Sequence, residues 1–258
     1  MQAPAGQKFC ATLRHCLCYT APMRKALPFI FLLSLSLPVS AQIFRLPNPD
    51  PQPGDQFGIA TSISQDRVVV GASGSNICGE SSGVAYVYAR DPAAGKWTLE
   101  STLQPSDCNE GLFFGKILAM HGDIIAVASY KPAFSNVLPN AVYVFERDSV
   151  DWHQTAKLMS PDNNTGPFAS AIAVWGNQIV VASAGDIPEG RYHGATYIFE
   201  KSGADWSLGQ TLTTSAHVVN GIFGSSIALD ESTLAVARFG SVSGQGLRWG
   251  PRVAYPGA

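Results

Sequence analysis

The chain has little of what most chemistry needs. Of its 258 residues only 14% are charged. Past residue 41 there remain two cysteines, Cys78 and Cys108, and four scattered histidines, His121, His153, His193 and His217. A zinc site takes four ligands, and no second cysteine pair or histidine cluster completes one. No His-Glu-x-x-His string, phosphate-cradling glycine loop or dinucleotide fingerprint occurs. Past the same point no apolar run reaches the ~20 residues of a membrane-spanning helix, and no window of about eleven residues carries a helical apolar period. What remains is an all-β reading.

Positive charge is scarce and misplaced. Four of the 17 Lys and Arg (Lys8, Arg14, Arg24, Lys25) lie in the first 41 residues, which leaves 13 against 19 Asp and Glu, a net of −6. Nucleic acid and anionic membrane both call for clustered positive charge, so neither is an expected partner. Arg24 and Lys25 precede the 14-residue apolar stretch ALPFIFLLSLSLPV (26–39) and the small residues Val39-Ser40-Ala41. That order reads as a secretory signal with cleavage after Ala41; the alternative is a retained anchor, for which the apolar run is short. The expected domains are therefore an upstream stretch and signal peptide over 1–41 and one exported domain over 42–258. Met23 is an alternative start. The expected location is periplasmic or extracellular, and two cysteines in an exported chain pair as a disulfide, Cys78 with Cys108.

What the chain does have is a repeat. Phe57, Phe114, Phe168 and Phe223 each open a stretch that ends in a short apolar strand: VVVGAS (68–73), IIAVAS (124–129), IVVAS (179–183) and LAVAR (234–238). Tyr86, Tyr143 and Tyr197 follow, then Trp97, Trp152 and Trp206, then Leu103, Leu158 and Leu212, with equivalents 54 to 57 residues apart. The units fall at about 54–108, 109–162, 163–216 and 217–258. The first three read as four strands, a to d, and the last as a, b and c. In the first, QFGIATSIS gives a, RVVVGAS gives a buried b, and GVAYVYAR gives c, with Tyr86 and Tyr88 on one face and Ala85 and Val87 on the other. WTLESTLQ gives d after a turn punctuated by Pro92 and Gly95. The small residues before strand c (Gly83, Asn140, Gly194) suit positive φ or close backbone approach. The Trp opening each d strand is read as a cover over the seam between blades.

Residues 44–50, FRLPNPD, match the d-strand endings STLQPSD and AKLMSPD, and RVAY (252–255) stands in the place of GVAY. A leading d strand and a trailing a-b-c set would let the last blade close a four-blade ring. The tail 241–258 has lost the aromatic ending of strand c, so an open arc or a truncated remnant of a longer array is the alternative.

These units resemble FG-GAP repeats, the blades of the propeller at the N-terminus of integrin α chains, and more closely their bacterial secreted variety. The matching residues are Phe57-Gly58 with Gly71-Ala72-Ser73, Phe114-Gly115 with Val127-Ala128-Ser129, and Phe223-Gly224 with Val236-Ala237. The third copy departs, with Phe168-Ala169 before Val181-Ala182-Ser183. The resemblance implies a β-propeller engaged in adhesion or ligand binding. Calcium-binding integrin copies carry an acidic loop between strands a and b. Here those loops are SQDR, HGD, WGNQ and DEST, with at most two acids each, too few for six to eight oxygen ligands. Asp66, Asp123, Asn177 and Asp230 read as hairpin-turn residues instead, and no cofactor or metal is expected.

Residues 79–83, GESSG, match the Gly-x-Ser-x-Gly string of serine hydrolases. That chemistry needs the serine on a turn from strand to helix with a His and an acid beside it, and no helix follows here. Asn163-Asn164-Thr165 is a formal glycosylation sequon. The reading is a secreted, non-enzymatic binding or adhesion module with b–c and d–a loops on one face and a protein or glycan as its unknown ligand. The alternatives are a propeller hydrolase or lyase, whose acids or histidines would converge on the axis, and a fragment of a larger FG-GAP protein.

Overall fold

The β-branched and aromatic runs of each unit pair with their sequence neighbours and build one antiparallel sheet per unit. The computed structural model describes residues 43–130, 141–161, 168–184, 194–213, 222–239 and 253–256. Phe44–Ala258 forms one compact unit. Its first blade is β1 (Phe57–Ser64), β2 (Arg67–Ala72), β3 (Val84–Arg90) and β4 (Trp97–Leu103); its second is β5 (Ile117–His121), β6 (Ile124–Ala128), β7 (Ala141–Arg147) and β8 (Trp152–Met159). The third is β9 (Ala171–Trp175), β10 (Gln178–Ser183), β11 (Ala195–Ser202) and β12 (Asp205–Thr213). The fourth has three described strands, β13 (Ile222–Leu229), β14 (Thr233–Phe239) and β15 (Val253–Pro256). In every sheet the order follows the chain, and all pairs are antiparallel. The innermost strands succeed one another, β1 against β5, β5 against β9 and β9 against β13. This is a β-propeller-like array of blades, and no helix occurs among the described residues.

The core sits in the seams, because both faces of a blade are apolar. Val69, Ala85, Val87 and Leu103 of blade 1 pack against Phe114, Met120, Ile125, Val127, Tyr143 and Trp152 of blade 2. The next seam joins Ala126, Ala128, Val142 and Leu158 to Phe168, Val174, Ile179 and Tyr197, with Trp206 alongside. The third joins Val180, Ile198 and Leu212 to Phe223, Leu234 and Val236. From blade 2 onward the recurring Phe and Tyr are thus seam residues, as are Leu103, Leu158 and Leu212, and Trp152 and Trp206 cover the seams as their position at the start of strand d implies, while Trp97 packs on the leading face of blade 1.

In the first three units the opening Phe meets the Tyr of its own strand c at a tilted or edge-to-face angle, with ring centroids 6.0 Å apart for Phe57 and Tyr86, 5.7 Å for Phe114 and Tyr143, and 5.9 Å for Phe168 and Tyr197. The residue after it has left-handed backbone: φ is 91° at Gly115, 68° at Ala169 and 85° at Gly224. At Gly115 no side chain fits, since a Cβ would meet the Val84 carbonyl and the Gly71 backbone of the blade before. Gly71 is correspondingly closed by the Gly115 carbonyl.

The register corrects the alignment of the apolar strands. Tyr86 faces Val70, Tyr143 faces Val127 and Tyr197 faces Val181, so Gly71, not Ala72, holds the place of Ala128, Ala182 and Ala237. Strand c of the last blade is offset too. Tyr255 faces Leu234 as Tyr88 faces Val68, two positions from the place expected of RVAY.

Among the described residues no closing strand is present. Residues 43–48 belong to no strand, and the described part of the fourth sheet holds three. Leu46 packs instead on blade 1, with Val70, Val84, Tyr86 and Trp97, and the Tyr88 hydroxyl donates to the Pro47 carbonyl at 2.6 Å. Leu46 therefore stands before blade 1 as Leu103, Leu158 and Leu212 stand before blades 2, 3 and 4.

Candidate functional site

Strand alternation sends the b–c loop and the d–a connection of one blade to the same end, and in blade 1 they are joined. Cys78 and Cys108 form the expected disulfide, 30 residues apart with Cα atoms 6.0 Å from each other. Around it the two segments bond rung by rung: Gly111 N–H donates to Glu80 O (2.8 Å), Phe113 N–H to Ser81 O (2.9 Å) and Phe114 N–H to Ser82 O (3.1 Å). The loop also bonds within itself, from Gly83 N–H to Ser75 O at 2.9 Å, Ser81 N–H to Asn76 Oδ1 at 2.8 Å and Cys78 N–H to Ser82 Oγ at 3.0 Å. Gly83 reaches strand c with φ 78° against the Phe114 backbone, and Gly194 with φ 74° against that of Phe223. Asn140 lies outside the described residues. The result is a platform with a fixed backbone and an outer surface of exposed side chains, among them Asn76, Ile77, Glu80 and Glu110.

The GESSG string is part of this platform. Ser81 has φ 52° and Ser82 is buried with its Oγ donating to Ser75 O at 3.2 Å; strand β3 follows, not a helix. The two described histidines lie elsewhere. His121 stacks on Trp175 with centroids 4.2 Å apart and accepts from Gly176 N–H at 3.1 Å, and His153 pairs with Asp148 at 3.0 Å. His193, His217 and the 163–165 sequon lie outside the described residues, as do the signal stretch and the loops of blades 2 and 3 at 131–140 and 185–193.

The a–b turns have the structural role read for them. The carbonyls of Asp66, Asp123 and Asn177 accept from the N–H of Arg90, Arg147 and Lys201 at 2.8, 3.0 and 2.9 Å. The Asp230 carboxylate caps its own turn, accepting from Ser232 and Thr233 N–H at 2.9 and 2.8 Å. Among the described residues no three His, Cys, Asp or Glu gather as a metal site would need.

Two seam carboxylates had no signal in the repeat. Glu100 on β4 accepts from Arg67 Nε at 2.8 Å and, across the seam, from Arg147 Nε and Trp152 Nε1, both at 3.2 Å. Glu146 on β7 takes Lys201 and, at 2.8 Å, Trp206 Nε1 from the next blade. Burial pushes both carboxyls upward, but the hydrogen bonds and cationic neighbours outweigh it and hold them below their ordinary values. Beside the first seam an open cleft of about 400 Å³ is lined by Gln104, Ser106, Trp152, His153 and Gln154. Gln154 closes part of it by accepting from Ser106 N–H at 2.8 Å and donating to its hydroxyl at 3.1 Å.

Repeated four-stranded blades with a braced loop end define the class: a β-propeller-like repeat protein. The family model of the FG-GAP repeat matches residues 41–88, the first blade as far as strand c. No curated protein matches the chain. Among solved structures, the periplasmic gluconolactonase PpgL of Pseudomonas aeruginosa is similar at 15% identity and a TM-score of 0.37, over 75% of this chain and 71% of that one.

Proposed function

We propose that this chain is an exported, non-enzymatic binding module whose blade 1 platform presents Asn76, Ile77, Glu80 and Glu110 to a protein or glycan. The observation that carries the reading is the disulfide-braced backbone of the b–c loop and d–a connection. A loop already held by rungs and a covalent bond loses little further freedom when a ligand settles on it. A mixed polar and apolar display on such a frame suits recognition, and the FG-GAP repeat of blade 1 supports the same reading. A disulfide of this kind persists in an oxidising compartment, which fits export.

The test is an array of immobilised extracellular-matrix proteins and polysaccharides probed with wild type and with an I77A/E80A variant. The reading expects at least one specific binder whose signal falls about tenfold or more in the variant, with the melting temperature unchanged. Turnover of lactone or ester substrates by the purified protein would overturn it in favour of a propeller hydrolase.

A further inference from the structure

The two ends of the blade series are unequal to its middle. Each blade turns a leading face to the blade before it and a trailing face to the blade after. On β5 the leading residues Leu118 and Met120 are 8% and 6% exposed, because blade 1 covers them. The same positions on β1 are Thr61 and Ile63; both are exposed, Ile63 to 65%, and Ile59 beside them to 48%. Thr61 and Ile63 alternate with Ser62 and Ser64, which point the other way and accept from Met120 and Gly122 N–H at 3.1 and 2.8 Å. Gly58 has the φ of Gly115, 91°, yet a Cβ on it would meet nothing within 4 Å.

Arg90 marks the same gap. Its equivalents Arg147 and Lys201 each hold a carboxylate of the blade before, Glu100 and Glu146. Arg90 lies over the Phe44 ring at 5.7 Å, and its buried Nε has no hydrogen-bond partner. The opposite end is open too. Ala235 and Ala237 on the trailing face of blade 4 are half-exposed, whereas their equivalents Ala126, Val180, Ala128 and Ala182 are 0–1% exposed. Ala228 on β13 is exposed as well.

We infer that the leading face of blade 1 is an interface for the trailing face of blade 4 of a second copy of this chain. The argument is continuity: the same two kinds of surface already meet three times within the chain, and each open face presents the residue types that fit the other. Ile63 would enter the place that Met120 and Val174 take in their seams, and Gly58 would approach Ala237 as Gly115 approaches Gly71 and Gly224 approaches Ala182. Head-to-tail contact closes a ring where the rotation allows and otherwise extends a filament; either raises the mass above one chain.

Sedimentation velocity on the protein as its host processes it, across micromolar concentrations, tests this. Wild type is expected to associate in a concentration-dependent way. I63E on the leading face and A235E on the trailing face are each expected to weaken association about tenfold or more. T61R, at an exposed position of the same face, serves if I63E fails to fold. Mixing I63E with A235E restores one intact pair of faces, so the mixture must associate where neither variant does alone. A monomeric wild type, variants that associate like wild type, or a mixture that stays monomeric would each overturn the inference.

Discussion

Ile63 and Met120 occupy the same position of successive inner strands, yet Ile63 is 65% exposed and Met120 6%. The difference is a neighbour: blade 1 covers Met120, and among the described residues no blade covers Ile63. Seams therefore carry the stability of this array, and the positions that face a seam should respond to mutation far more than the same positions at an open end.

The first prediction compares two leucines. Leu103 is 2% exposed in the first seam, and Leu46 is half-buried on the leading face of blade 1. L103A removes packing that cannot be replaced and should destabilise by about 2–5 kcal/mol, and L46A by about half of that or less. Urea unfolding curves with equal slopes check the pair. Equal losses would mean that residues 44–48 pack as tightly as a true d strand.

The disulfide is the second. Closing a 30-residue loop should contribute roughly 3–4 kcal/mol on the chain-entropy model. The C78S/C108S variant should unfold at lower urea by that amount, and reductant should move wild type to the same midpoint. Alkylation of both thiols in unreduced protein would contradict the pairing.

A third concerns acid. Glu100 and Glu146 have folded values below their ordinary 4.5, so the folded state binds fewer protons than the unfolded state as pH falls. Their contribution is complete above the ordinary value and is lost as pH drops through the lowered folded values. Stability should be level down to about pH 5 and then decline. An E100Q/E146Q variant should be less stable at neutral pH, because Arg67, Arg147 and Lys201 lose their partners, and should decline less steeply below that point. Parallel curves for variant and wild type would show that the seam carboxylates do not set the acid limit.

The fourth uses backbone strain. G115A forces a side chain into φ 91° against the Val84 carbonyl, whereas G58A meets the same φ in open space. G115A should destabilise by more than about 1 kcal/mol and by more than G58A does. Thermal melts of the two variants decide it.

Much of this was legible in the sequence. The Phe, Tyr, Trp and Leu markers recur because every blade makes the same seam, and period and composition together give strands and turns. Asp66, Asp123 and Asn177 are legible as turn residues because local geometry decides a turn, and Cys78 and Cys108 as a pair because they are the two cysteines past residue 41. Glu100 and Glu146 were silent, since one sits on strand d and the other on strand c, and a contact across a seam leaves no period behind. The bulges after Val87, Val144 and Ile198, at one place in three blades, were equally hidden. The two-residue offset of Tyr255 was hidden for a related reason: an even shift in register leaves the period-two pattern of a strand sequence unchanged.

The most direct test of the account is the reactivity of single thiols at the two equivalent positions. Ile63→Cys and Met120→Cys would each be exposed to an alkylating reagent under non-denaturing conditions, in dilute and in concentrated protein. The Ile63→Cys thiol is expected to react at the rate of an exposed thiol when dilute and more slowly as concentration rises, while the Met120→Cys thiol stays protected throughout. Protection of position 63 at every dilution would contradict the account, because the leading face of blade 1 would then be covered within a single chain.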